Sequence, residues 1–430
     1  MSNFRIIMTV FFGVFIVIGV IVFSMSRSGG GGSSSQEQIT VWGTIPSSIF
    51  EKYMEAVNSN RASKLSVIYV DKDGNSFGQE FIEALANNAG PDVILLPQDL
   101  ILRYKDKVYP IPYSSLSERV FKDTFIEEAE LYLSSNGIIA LPLSIDPLVM
   151  YWNRDIFTDA LLAQAPSYWD EFFSLVSKIT KSDSRLNILR SAVSLGEFRN
   201  VTNAKEILSL LILQAGNPIV KNNKGAITIA LKDQLGFSIP PTEAALRFYT
   251  EFSNPAKESY SWNRSLPASR SYFLSGDLAI YFGYASEFDD LKLKNPNLNF
   301  DIAVVPQRRG GNVKTTFGAM QGFALVKSSG KLASAFNAIA TLTGKDGVSA
   351  WVKASGLPPA RRDLLSAGSN DSFGNIFYTS AIISKGWLDP NKDKTDSIFQ
   401  DMIESTLSGK SRLSEAVSRA DEEMRSLLSQ

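Results

Sequence analysis

Three short apolar runs separated by two helical stretches open the body of this chain, and that alternation constrains the fold more than any other feature. Ile39-Thr40-Val41-Trp42-Gly43 reads as a buried strand that Gly43 ends. A helix follows, with Pro46 near its first turn and Phe50, Met54 and Val57 on one side. Leu65 to Val70 reads as a second strand, Phe77 to Ala89 as a helix, and Pro91 to Leu96 as a third strand. A strand with an apolar centre suits a parallel sheet covered on both faces. Strand, helix, strand, helix, strand is the pattern of a doubly wound α/β layer. Sites in such sheets lie beyond the carboxyl ends of the strands, here near Trp42-Gly43-Thr44 and Pro97-Gln98-Asp99.

Upstream of this body, Ile6 to Ser24 is almost unbroken apolar sequence. At about 1.5 Å per residue it gives roughly 28 Å of helix, against a hydrocarbon core of about 30 Å. The run is longer than the hydrophobic region of an ordinary signal peptide and no Ala-x-Ala site follows it. A transmembrane helix over 6–25 is expected, with residues 1–5 inside the cell and a Gly/Ser linker over 26–37 holding the body outside. The linker has the composition of random coil, with a span of roughly 20 Å.

The chain has no Cys and no His. Disulfides, thiolate nucleophiles, thiolate or imidazole metal ligands and Ser-His-Asp triads are therefore excluded. No metal or cofactor is expected. The net charge of −1 offers no basic face for nucleic acid. The part after the linker, roughly 390 residues, is too long for one ordinary domain. Asp71-Lys72-Asp73-Gly74-Asn75 lacks the closing Glu of a calcium loop and reads as a turn. The sequons at Asn200, Asn263 and Asn370 read as chance occurrences.

Further along, Gly137 to Leu143 and Pro147 to Trp152 are extended runs flanking Ser144-Ile145-Asp146. Trp169, Phe172, Phe173, Val176 and Ile179 fall at helical spacing. Ile207 to Leu213 is apolar nearly all round, which predicts a buried helix. Strands are expected at Leu278 to Phe282, Phe300 to Val305 and Gly322 to Val326, and the last stretch of the chain is mainly helical. Leu413, Ala416, Val417, Ala420, Met424 and Leu427 form an amphipathic stripe that should pack on the body.

Several of these segments, in order, resemble extracellular solute-binding proteins of the family-1 type, the maltose-binding-protein relatives that serve ABC importers. Gly90-Pro91-Asp92-Val93 is similar to that family's turn into the third strand. Ala140 to Leu148 and Tyr151 to Phe157 resemble its crossover pair. Ala165-Pro166-Ser167-Tyr168-Trp169-Asp170-Glu171, Phe273 to Ile280 and Gly356 to Arg361 resemble later motifs. The resemblance implies a two-lobed type II periplasmic-binding-protein fold with a hinge. It implies an α/β lobe from 38–145 and 306–345, and a second from 146–305 and 346–430. It also implies a solute held in the cleft without covalent chemistry, and ABC permease subunits as partners.

A sugar site needs aromatic platforms and hydrogen-bonding side chains. Seven residues are candidates. Trp42 ends the first strand, in core or cleft. Asp99 opens the helix after the third strand, as N-cap or ligand contact. Asp146 lies between the crossover segments, as ligand contact or hinge hydrogen bond. Trp262 sits in a loop with no amphipathic reason for burial, and Tyr284 sits between a strand and a helix, so both are expected to stack on ligand. Gln321 and Arg361 are candidate polar contacts. The competing readings are a surface enzyme acting on glycans through paired carboxylates, and a sensor or adhesion protein on the same fold.

Overall fold

The computed structural model describes residues 37–429 apart from 60, 62, 63, 224, 312 and 370. The expected membrane span at 6–25, and all of the linker but its last residue, lie outside the described residues. Among the described residues no helix is long and apolar enough to cross a membrane.

The opening alternation folds as a parallel layer. Ile39–Gly43 lies between Val67–Asp71 and Val93–Pro97, with Val41 opposite both Tyr69 and Val93. Helix Ser47–Ser59 covers it through Phe50, which stacks on Tyr69 at 4.0 Å between ring centres. Asp92, from the Gly-Pro-Asp turn, pins the layer's far end. Its carboxylate accepts the Thr40 N–H at 2.9 Å and the Ser329 hydroxyl at 2.6 Å.

Two long antiparallel strands carry the chain between lobes. Leu141–Asn153 leads out and Thr316–Leu325 leads back. They pair from Phe323 opposite Leu141 to Gly318 opposite Pro147, with a register shift between Gln321 and Gly322. The two extended runs expected around Ser144-Ile145-Asp146 are thus one continuous strand. The returning strand lies close against its neighbours. A Cβ on Gly318 would come within 2.7 Å of both Ile145 and Ser384, and one on Gly322 within 2.8 Å of the Leu141 carbonyl. The strand order is 67–71, 39–43, 93–97, 316–325, 141–153, 278–284, 188–193, 181–182, so the sheets of both lobes join through the crossing pair.

In the second lobe Leu278–Tyr284 is antiparallel to the outgoing strand and parallel to Ile188–Val193. Trp169, Phe172, Phe248 and Phe282 pack as one aromatic cluster beneath it. Helix Ala204–Gln214 is buried as expected over most of its length. The closing helix Leu413–Leu428 buries Ala416, Val417, Ala420 and Met424, together with Asp421, which Arg425 neutralises at 2.6 Å.

The lobe boundaries differ from expectation at both returns. Residues 306–315 stay with the second lobe, since Gln214 donates to the Pro306 and Thr315 carbonyls at 3.0 and 2.7 Å. Lys345–Ser355 packs on the first lobe instead of the second, with Trp351 edge-on to Tyr53 at 5.2 Å. The Ile126 N–H also donates to the Ala360 carbonyl. The second lobe resumes at Ser372–Ile382, whose Phe373 and Phe377 lie against Phe288.

Candidate ligand groove between the lobes

The carboxyl ends of Ile39–Gly43 and Val93–Pro97 open onto a groove of about 820 Å³. The first lobe lines it with Thr44, Phe77, Gln98, Asp99, Arg103 and Tyr104. The second contributes Asn203, Lys205, Glu206, Tyr284, Trp387, Asp389 and Lys392. Phe317 to Gln321 of the returning strand lie between them. Both lobes and the strand that joins them therefore touch one space.

Gln98 ties the groove to the crossing. It is buried, its amide donates to the Gly318 carbonyl at 2.5 Å, and its oxygen accepts the Met320 N–H at 3.1 Å. Behind it Glu128 is buried with one carboxyl oxygen unpartnered. Burial pushes its pKa up to about 8, against the pull of the Gly386 N–H and the Gln98 amide.

The second-lobe wall is built from the first turn of Ala204–Gln214 and the start of helix Lys392–Leu407. Asn203 precedes the first of these at φ 61°, a left-handed conformation that Asn tolerates better than most residues. Lys205 turns away from open space and bonds Asp389 at 2.8 Å, Asp396 at 2.7 Å and Thr395 at 2.7 Å. Burial works against its charge, but Asp389 and Asp396 hold its pKa above the usual lysine value. Trp387 is fixed by an indole hydrogen bond to Ser209 at 3.2 Å and by parallel packing on Phe399. Glu206, next to Lys205, bonds no other residue among the described residues. Burial raises its carboxyl, partly offset by Lys205 and its own backbone N–H.

Three of the seven candidates come together here. Asp99 lines the groove and bonds Lys392 at 2.7 Å. Tyr284 lines it with a hydroxyl that makes no hydrogen bond among the described residues. Its backbone is held by the Tyr151 hydroxyl at 2.7 Å and by Glu287 at 2.9 Å. Gln321 lines it from the returning strand, beside Pro97 and Ser144.

The other four do not line it. Trp42 is covered by the Lys72 ammonium, 4.0 Å from its ring centre. Asp146 faces the second lobe and accepts the Ser286 N–H at 3.0 Å, the hinge hydrogen bond rather than a wall of the groove. Burial raises it to about 7, with the Ser286 hydroxyl and N–H opposing. Trp262 is fully buried in the second lobe, edge-on to Tyr272, and donates to Asn200 at 3.1 Å. That contradicts an exposed stacking role: loop sequence gave no periodicity, and the burial comes from distant partners. Arg361 turns to Asp363 at 3.0 Å and the Thr343 carbonyl at 3.2 Å, away from the groove.

Glu206, Lys205, Asn203, Trp387 and Lys392 were not among the candidates. The sequence signal for the first two was a charged pair opening an otherwise apolar helix. No group of acidic residues able to hold a metal ion occurs among the described residues.

A family described as bacterial extracellular solute-binding protein matches residues 49–372. No curated protein matches the chain in sequence comparison. Solved structures do match. A cyclo/maltodextrin-binding protein complexed with maltotetraose superposes with a TM-score of 0.74 at 17% identity, covering 93% of this chain and 98% of that one. The cyclic α-maltosyl-1,6-maltose binding protein of Arthrobacter globiformis gives 0.73 at 15%, covering 92% and 99%. The sugar-binding protein MalE of Xanthomonas citri gives 0.71 at 18%, covering 91% and 98%. At these identities the likeness is one of fold.

Proposed function

This chain belongs to the bacterial extracellular solute-binding protein family, and from that membership we propose that it captures a sugar or oligosaccharide in the interlobe groove and hands it, chemically unchanged, to an ABC importer. The observation that carries the reading is the groove itself. It is lined from both lobes and from Phe317 to Gln321 of the strand joining them. A guest touching all three favours the closed arrangement over the open one, because it gains contacts that only closure provides. Asp99, Tyr284 and Gln321 supply hydrogen-bonding groups and an aromatic face of the kind a saccharide requires. That the similar cyclo/maltodextrin-binding protein holds maltotetraose supports the saccharide class.

The apolar run at 6–25 anchors the body on the outer side of the membrane, and permease subunits in the same membrane receive the closed form. Tethering keeps binder and transporter at high effective concentration. No step calls for turnover, so the protein acts as a receptor and not as an enzyme.

The test is a thermal-shift screen of the full-length chain against sugars, oligosaccharides, amino acids and peptides. A ligand that binds only the folded chain raises the midpoint. A saccharide that does so and is recovered intact supports the reading. Failure of every saccharide, or recovery of a cleaved product, overturns it.

A further inference from the structure

The groove is unevenly charged. Asp99 of the first lobe and Glu206, Asp389 and Asp393 of the second line it against Arg103, Lys205 and Lys392, and Asp396 lies behind Lys205. Both lysines are already committed, Lys205 to Asp389 and Asp396, and Lys392 to Asp99. Glu206 is left as a carboxylate facing the groove with no bond to another residue among the described residues. A carboxylate drawn partly out of water is costly to leave without a partner.

Resting on the reading of this groove as the solute site, we propose that the favoured solute is an amine-bearing saccharide, whose ammonium pairs with Glu206. An ammonium brings three donors and no acceptor, the complement of an ionised carboxylate. The resulting bond is charge-assisted, stronger than one from a neutral hydroxyl. A neutral sugar hydroxyl satisfies the hydrogen bond but leaves the excess negative charge. An acidic sugar meets only Arg103, since the two lysines are held by their own carboxylates. The raised pKa of Glu206 is consistent with a site awaiting a cation, and an ammonium at bonding distance brings that pKa down.

The experiment is calorimetric titration of the full-length chain with four tetrasaccharide probes: a glucosamine oligomer, its N-acetylated counterpart, maltotetraose and a uronate oligomer, at a pH where the free amine is charged. The glucosamine oligomer should bind at least tenfold tighter than its acetylated counterpart, and the uronate should not bind. Glu206→Gln should erase most of that preference. The acetylated-to-free-amine comparison needs only the natural chain, so it stands even where a variant fails to fold. Equal or tighter binding of acetylated or neutral probes overturns the amine inference and leaves the solute-groove reading intact. Binding of none of the four overturns both.

Discussion

Lys392 reaches from the second lobe to Asp99 of the first and closes a 2.7 Å ion pair across the groove. The attraction holds the lobes together before any guest arrives, and burial of the lysine is offset by the nearby Asp99 carboxylate.

Lys392→Ala is expected to shift the free protein toward the open arrangement. Lys392 is half-exposed, so solvent screening limits the pair to about 1 kcal/mol, or roughly a fivefold change in the open–closed ratio. Small-angle scattering on the natural and variant chains should show a larger radius of gyration for the variant. Raising the salt concentration should bring the natural chain toward the same value.

Glu128 should make stability fall as pH rises. Its folded pKa of about 8 lies above the ordinary carboxylate value. The folded chain therefore binds this proton more tightly than the unfolded one. The contribution is complete below the unfolded pKa and is lost as pH climbs through about 8. The size is on the order of a few kcal/mol, at about 1.4 kcal/mol per pKa unit. Asp146, with a folded value of about 7, adds a decline of the same sign. Denaturation at pH 6 and pH 9 should show the fall, and Glu128→Gln should flatten much of it.

Trp262→Ala should cost about 3–5 kcal/mol of folding stability, the range for removing a fully buried aromatic side chain. Trp262→Phe should cost less, losing mainly the hydrogen bond to Asn200. Urea unfolding checks both. A Trp262→Ala chain that keeps its stability but loses ligand affinity would return this residue to the site.

Affinity should separate residues on the groove from those off it. Gln321→Ala is expected to weaken ligand binding at least tenfold. Arg361→Ala, whose side chain points to Asp363 and the Thr343 carbonyl, should leave it within about twofold, since surface changes away from a site have small effects. Titration of one saccharide against both variants decides it.

The parallel layer of the first lobe was legible because its three strands and two helices each carry a local apolar pattern. Ile39–Gly43 matches its expected bounds, and Val93–Pro97 starts two residues and ends one residue later than read. The continuous strand Leu141–Asn153 was not, because Pro142 and Pro147 interrupt the pattern that normally marks a strand. The groove was half legible. Asp99 follows from the rule that sites lie beyond strand ends, whereas Glu206 needs the three-dimensional fact that the first turn of a buried helix faces open space. Trp262 was misread for the converse reason: Asn200 and Tyr272, which bury it, are not within any local sequence window. The sequon at Asn200 has a structural use as well, since its amide donates to the Asn263 and Leu266 carbonyls.

The interleaved strand order has a consequence for how this chain is made. Thr316–Leu325 is inserted between Val93–Pro97 and Leu141–Asn153, yet it is synthesised long after both. A chain emerging amino-end first must leave the edge of Val93–Pro97 bare while the whole second-lobe insertion is produced. Bare strand edges invite mispairing with other chains. Maturation should therefore depend on helpers that shield nascent polypeptide, and release of functional receptor should wait until the returning segment has left the ribosome.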